Sequence, residues 1–217
     1  MKLILSRKGF DSSAGGCPSP ILPDGRLCSL PIPDRQSRLH YRDLTVNGIN
    51  AGELVADLTG HPERADDTAH LDPDLDPDTH IREQGWRGLL GQDGTAQSHL
   101  RNQQVGDGDL FLFFGLFRPA EKLAGHWRFV KSEPVRHVIW GWLQAGAVHT
   151  IPELEASDLP WARYHPHFAG VRGRQNTLYE ARDKLLLGDL PDNRLRSQRS
   201  GFGTFRHYAP ELQLTAL

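Results

Sequence analysis

Proline and glycine interrupt two segments of this chain so often that neither can form a long helix. In residues 6–36 they recur every few positions, from Gly9 to Pro33, and residues 59–80 contain the acidic stretch HLDPDLDPD. Proline lacks a backbone donor and clashes inside a helix, and glycine destabilises one. The sequence therefore predicts a strand-rich protein. It also predicts that residues 6–36 form a long functional loop, because an irregular segment of this length is unusual in a compact domain.

The strongest apolar stretches are short and favour strands. Residues 110–117 (LFLFFGLF) and 137–143 (HVIWGWL) lie within residues 105–150, which we expect to hold the core strands, and Leu3–Leu5 predicts an opening strand. Residues 95–104 have a composition that suits a helix, with Thr95 as its N-cap. These elements predict a single α+β domain over residues 1–217, built on a strand-rich mixed or antiparallel sheet.

Composition excludes several functional classes. The 217 residues contain 25 Lys+Arg and 27 Asp+Glu, a formal net charge of −2, which argues against a uniformly basic nucleic-acid-binding surface. No apolar run is long enough to span a membrane, and the apolar start is too short for a secretory signal. The two cysteines form no CxxC motif, so we expect reduced thiols and a cytoplasmic location. Phosphate-loop, dinucleotide-binding, nucleophile-elbow and HExxH motifs are absent from the sequence.

A histidine and an aspartate at alternate positions suggest a metal site. His70 and Asp72 share a face of an extended segment, and with His99 as a third ligand they would make a site for a divalent ion such as Fe or Zn. The alternative is a structural role in a turn. The alternating aspartates resemble a calcium loop, but Pro77 stands where that loop needs a glycine, which excludes it.

The first turn of the 6–36 segment combines cations, glycines and hydroxyls. Such a segment can bind an anion through its backbone N–H groups. We expect phosphate to be held by four residues: Arg7, Lys8, Ser12 and Arg26. Asp11, an acid among these cations, is either an ion-pair partner or a catalytic acid or base.

Two further groups suggest a pocket for a planar ring. In YHPHF, His165 and His167 flank a proline, and we expect them to be catalytic, with Tyr164 or Phe168 stacking on a base. Near the turn between Gly91 and Gly94, Gln92 and Gln97 offer amide donors and acceptors that suit the edge of a base. His99 lies beside them as a second candidate for acid–base catalysis. The alternatives are a surface loop with incidental histidines for YHPHF, and helix capping and solvent exposure for the second group.

The combination of these stretches resembles the third of the nucleotide modification associated domain families. The resemblance rests on SRKGFDSSAGGCPSPILPDGRLCSLPIPD, HLDPDL, GQDGTAQSHL, GDLFLFFGLFR, HVIWGWLQ, YHPHF and NTLYEA, which together span almost the whole chain. Such domains occur in bacteria and phages and are linked by context to DNA base modification or to phage defence. Similar proteins continue past the LxLT segment, which would make this chain a short or truncated member.

A second resemblance concerns the fold alone. GDLFLFFGLF followed by HVIWGWLQ is similar to paired strands of PUA-like domains, including the ASCH and EVE types. It implies a partly closed barrel that accepts a base taken out of the stack. Fold likeness does not establish function.

Together these observations predict an enzyme that modifies a nucleotide or a DNA base in a pocket of histidine, aspartate and aromatic side chains. Its partner would be a nucleotide or nucleic acid. Two alternatives stay open, a PUA-like reader of modified bases without catalysis and a structural subunit of a modification or defence system with protein partners.

Overall fold

The computed structural model describes residues 1–155, 157–170, 172–187 and 199–214. The LxLT segment, on which the expected truncation rests, ends at Thr215, which lies outside the described residues. The helices are Ala51–Thr59 (α1) and Gly94–Asn102 (α2). The strands, in chain order, are Leu3–Arg7 (β1), Ser19–Ile21 (β2), Ile32–Pro33 (β3), Thr45–Val46 (β4), Ile49–Asn50 (β5), Ala69–His70 (β6), Leu89–Gln92 (β7), Leu110–Leu123 (β8), His126–Phe129 (β9), Arg136–Thr150 (β10), Thr177–Ala181 (β11), Phe202–Thr204 (β12) and Gln213–Leu214 (β13).

The main sheet is built on β8 and β10, the two long apolar strands. Its order is β1-β8-β10-β11-β7, with β2 and β9 also paired to β8 and with β12 and β13 paired to β10. The pairs β1–β8 and β2–β8 are parallel, whereas β8–β10, β10–β11 and β11–β7 are antiparallel. The predicted α+β class with a strand-rich mixed sheet is confirmed. No closed barrel forms among the described strands, and partial closure stays a prediction.

The 6–36 segment, which we expected to form a long functional loop, is buried over much of its length. It contains β2 and β3, and it contributes Phe10, Cys28 and Leu30 to an apolar cluster that also includes side chains of α1. Cys28 is fully buried in the core, and this burial raises the pKa of its thiol to about 12. A second apolar cluster is formed by side chains of β8, β10 and β11.

Local signals place the helix ends. The Asn50 side chain accepts from Glu53 N at the start of α1, and Gly60, with φ +72°, ends that helix. Helix α2 begins one residue earlier than predicted, and its N-cap is Asp93 instead of Thr95, because the Asp93 side chain accepts from Gly94 N. Both described helices have nine residues, and neither has the length and apolarity that a membrane span requires.

Candidate functional site

Three other segments converge on the stretch that carries His70 and Asp72. His70 ends β6, Lys8 follows β1, Gly91 lies in β7, and a 3-10 turn at Pro166–Phe168 carries His167. The side chain of Asp72 is fully buried, and those of His70 and Lys8 are 13% and 17% exposed. The cluster is therefore shielded from water on most sides and reaches solvent beside Lys8 and His70.

Asp72 receives one charged and one neutral donor. Lys8 Nζ donates to its Oδ2 over 2.6 Å, and the backbone N–H of Gly91 donates to Oδ1 over 2.5 Å. Burial alone would raise the pKa of Asp72, but the Lys8 ammonium holds that pKa well below its usual range. Asp72 is therefore a carboxylate at neutral pH.

His70 and His167 each have one ring nitrogen tied to a neighbour. His70 Nδ1 lies 2.7 Å from Asp34 Oδ2, and His167 Nδ1 lies 2.6 Å from Asn176 Oδ1. A carboxylate only accepts, so His70 Nδ1 carries the proton. Asn176 Nδ2 donates to the carbonyl oxygen of His167, which leaves its Oδ1 to accept from His167 Nδ1. In both rings the proton is on Nδ1, and Nε2 keeps a lone pair.

These lone pairs are available at neutral pH. Burial lowers the pKa of His167 to about 4 and also lowers the pKa of His70, so both imidazoles are neutral. One ligand atom from each of His70, Asp72 and His167 lies within 4.8 Å of the other two. Two neutral imidazoles and one carboxylate at such distances can hold a divalent cation.

His165 is oriented differently from these two histidines. Its Nδ1 accepts from the backbone N–H of His167 over 3.4 Å, so the proton is on Nε2. That nitrogen is buried, lies 3.5 Å from Asp72 Oδ1, and has no hydrogen-bond partner among the described residues. His165 thus presents an N–H to the cluster, where His70 and His167 present lone pairs.

Gly91 is required beside the cluster because of its lack of a side chain. A Cβ atom at this position would collide with the ring of His167. Because Gly91 has no side chain, His167 can pack on β7 at this position. The backbone N–H of Gly91 donates to Asp72. Gly91 therefore helps to position both His167 and Asp72.

A second buried aspartate lies two residues after Asp72. Arg82 donates to both carboxylate oxygens of Asp74 over 2.6 Å each, and Tyr164 Oη donates to Oδ2 over 2.5 Å. Trp86 Nε1 donates to Tyr164 Oη, and its ring lies under the Arg82 guanidinium at 4.3 Å. Tyr164 is thus held in a buried network, and burial beside Asp74 raises its pKa. Its phenol is engaged here, although the prediction assigned the ring to base stacking.

The predicted anion-binding residues take part in other contacts. Arg7 pairs with Asp11 at 2.9 Å, and Asp11 Oδ1 accepts from the N–H groups of Ser13 and Ala14 and from the Ser13 hydroxyl. Burial tends to raise the pKa of Asp11, but these hydrogen bonds lower it, as expected for a residue that closes a turn. Ser12 is exposed, and Arg26 contacts Asp24 and the carbonyl oxygen of Asn47. Of the four cations and hydroxyls, Lys8 is the one that reaches Asp72.

The remaining predicted residues lie elsewhere. His99 is exposed on α2 and lines a groove with Gln92. Among the described residues, the histidine that lies within ligand distance of His70 and Asp72 is His167 and not His99. Gln97 is buried, and its Oε1 accepts from Tyr179 Oη. The Arg163 guanidinium covers the ring of Phe168 at 4.5 Å.

Sequence reasoning missed the residues that hold the imidazoles. Asp34 and Asn176 carry no local pattern that marks them, and each reaches its histidine through the tertiary fold. It also missed Gly91 as a contact of Asp72, although Gly91 and Gly94 marked this stretch as a turn. The acidic run that resembles a calcium loop forms ion pairs with arginines of the described residues. Arg82 pairs with Asp74, and Arg206 pairs with Asp76 and Asp78.

Comparison with known proteins finds a single type of match. No curated protein sequence and no solved structure matches this chain. A family model described as nucleotide modification associated domain 3 matches residues 2–217. The chain therefore belongs to the nucleotide modification associated domain 3 family.

Proposed function

We propose that this protein is a metal-dependent enzyme that modifies a nucleotide or a base of a nucleic acid. His70, Asp72 and His167 would hold the ion. The observation that carries the proposal is the pair of contacts at Nδ1. Asp34 Oδ2 lies beside Nδ1 of His70 and Asn176 Oδ1 lies beside Nδ1 of His167, which leaves the Nε2 of both rings free for a metal. Metal-binding histidines are commonly oriented by such a partner.

The family assignment supports the substrate class. The family description refers to nucleotide modification. A buried charged cluster with unused imidazole lone pairs is more typical of a catalytic site than of a site that recognises its ligand by shape alone. A bound divalent ion would polarise an oxygen or activate a water molecule. Zn(II) and Fe(II) both accept two imidazoles and a carboxylate.

The residues around the ligands have distinct tasks in this proposal. Lys8 balances the charge of Asp72, and its ammonium lies where a negatively charged substrate group would be attracted. His165 directs an N–H toward the cluster and can donate a hydrogen bond to a substrate oxygen there. Both groups lie beside Asp72, so an ion or substrate bound at Asp72 would affect them both.

Metal titration tests the proposal. Zn(II), or Fe(II) without oxygen, is titrated into metal-free wild-type protein, into His167→Ala and into His61→Ala, which changes an exposed histidine away from the site. We expect one ion per chain in the wild type and in His61→Ala, and binding at least about 100-fold weaker in His167→Ala. Equal binding by all three proteins would contradict the proposal.

A second arm examines the chemistry. Metal-loaded protein is incubated with DNA and with nucleotides, and the nucleosides are analysed by mass spectrometry. A new nucleoside mass that Asp72→Asn does not produce is the expected result. A reader of modified bases would need no metal, so the titration also separates these two functions.

A further inference from the structure

A groove lies between β1 and α2. Its lining includes Ile4, Ser6, Gln92, His99, Gln103 and Phe111, and its volume is about 880 Å³. Sites for small molecules and cofactors span roughly 300–1,000 Å³. The groove is thus large enough for one nucleotide.

Both walls of the groove continue along the chain into residues that contact Asp72. On one wall, Ser6 lines the groove, and Lys8, two residues further along the chain, contacts Asp72. On the other wall, Gln92 lines the groove and its neighbour Gly91 donates to Asp72. A ligand lying in the groove would therefore be near two residues, Lys8 and Gly91, that contact Asp72.

The groove follows an edge of β1 that no described strand covers. Leu110 N donates to the carbonyl oxygen of Lys2, and Lys8 N donates to that of Phe114. In this parallel register the backbone groups of even-numbered residues face β8, so those of Leu3 and Leu5 face away from it. Residues 2–6 all line the groove, which places it along this free edge.

This lining suits a planar heterocycle. Ile4 and Phe111 provide apolar contact, and the amides of Gln92 and Gln103 offer both donors and acceptors. The free N–H and C=O groups of Leu3 and Leu5 add further hydrogen-bonding groups along one side. A nucleobase has apolar faces and a polar edge, which matches this arrangement.

We propose that the groove between β1 and α2 binds the nucleobase of the substrate and directs it toward the Asp72 cluster. The inference rests on the proposed function for the choice of ligand. The base could belong to a free nucleotide or to an unpaired position in a single strand, and both share the same ring chemistry. An extended peptide pairing with the free edge of β1 is the competing occupant.

The test is a titration with nucleotides and with a strand. The four deoxynucleoside 5′-monophosphates and a mixed-sequence single-stranded DNA dodecamer are titrated into wild-type protein and Gln92→Ala. The control is Gln84→Ala, an exposed glutamine outside the groove lining. We expect at least one mononucleotide or the dodecamer to bind the wild type, and the same ligand to bind Gln92→Ala about tenfold more weakly. Binding by mononucleotides identifies a free nucleotide as the source, and binding by the dodecamer alone identifies a strand.

A blocking variant keeps the test independent of one amide. Thr95 is exposed and lines the groove, so Thr95→Trp should fill part of it without disturbing the core. The unfolding midpoint of this variant should match the wild type while ligand binding falls at least tenfold. Binding should also occur with metal-free wild-type protein, which separates the groove from the metal centre. No binding by the wild type, or equal binding by the wild type and Thr95→Trp, would overturn the inference even if the metal titration succeeds.

Discussion

Asp72 and Asp74 lie two residues apart, both with fully buried side chains, yet their surroundings differ in kind. Both oxygens of Asp74 are bound by the two-pronged guanidinium of Arg82, and Tyr164 adds a further donor. Asp72 has one ammonium and one backbone N–H, and it is surrounded by imidazoles. The first arrangement is saturated with fixed partners, whereas the second leaves lone pairs unused. The contrast suggests that Asp74 stabilises the fold and that Asp72 binds a ligand.

The largest effect is expected at the saturated aspartate. Arg82→Ala would leave the buried carboxylate of Asp74 without its ion partner and should lower the free energy of unfolding by about 3–5 kcal/mol. Urea unfolding measures this change. Arg42→Ala, which removes an exposed arginine, should cost less than about 1 kcal/mol. A similar small loss for Arg82→Ala would show that Asp74 does not depend on this pair.

The next effect concerns the orientation of His167. Asn176→Ala removes the acceptor for Nδ1 and should weaken metal binding by about 10–100-fold, because the ring would no longer be held with Nε2 toward Asp72. The measurement is a competitive metal titration, with exposed Asn102→Ala as the matched control. Unchanged affinity in Asn176→Ala would mean that His167 is not oriented for a metal.

The Asp72 cluster also predicts a gain of binding. Lys8→Met removes a positive charge 2.6 Å from Asp72 Oδ2, and an ion placed there would no longer share the carboxylate with an ammonium. Metal affinity should rise about tenfold. Lys122→Met, at an exposed ion pair, should leave it unchanged. A fall in affinity for Lys8→Met would make Lys8 part of the binding site and not a competitor.

The smallest effect is expected at His99. This residue is exposed on α2, outside the group formed by His70, Asp72 and His167, so His99→Ala should change metal affinity less than about twofold. The same competitive titration measures it. A loss as large as that of His167→Ala would restore His99 as the third ligand.

Local signals predicted much of the scaffold and part of the site. The apolar stretches located β8 and β10, and the alternation of His70 and Asp72 placed them together because strand spacing is a local property. The strands run further than their apolar centres, since backbone pairing continues β8 to Leu123 and β10 to Thr150. Periodicity cannot reveal where a strand finds a distant partner, so the parallel pairing of β1 with β8 was not predicted.

The same limit explains the third ligand. His99 was predicted as the third ligand and His167 as a catalytic residue, because the position of His167 beside Asp72 depends on how the turn at Pro166–Phe168 packs on Gly91. The partners Asp34 and Asn176 come from separate parts of the chain and have no local spacing relative to their histidines. Such contacts are set by the tertiary fold.

X-ray absorption spectroscopy of the metal-loaded protein tests the central claim most directly. With Zn(II) bound, the wild type should show two imidazole nitrogens and carboxylate oxygen in its ligand shell, from His70, His167 and Asp72. The His70→Ala/His167→Ala double variant should lose the imidazole contribution. A wild-type spectrum without imidazole scattering, or an identical spectrum from the double variant, would contradict a metal centre at Asp72.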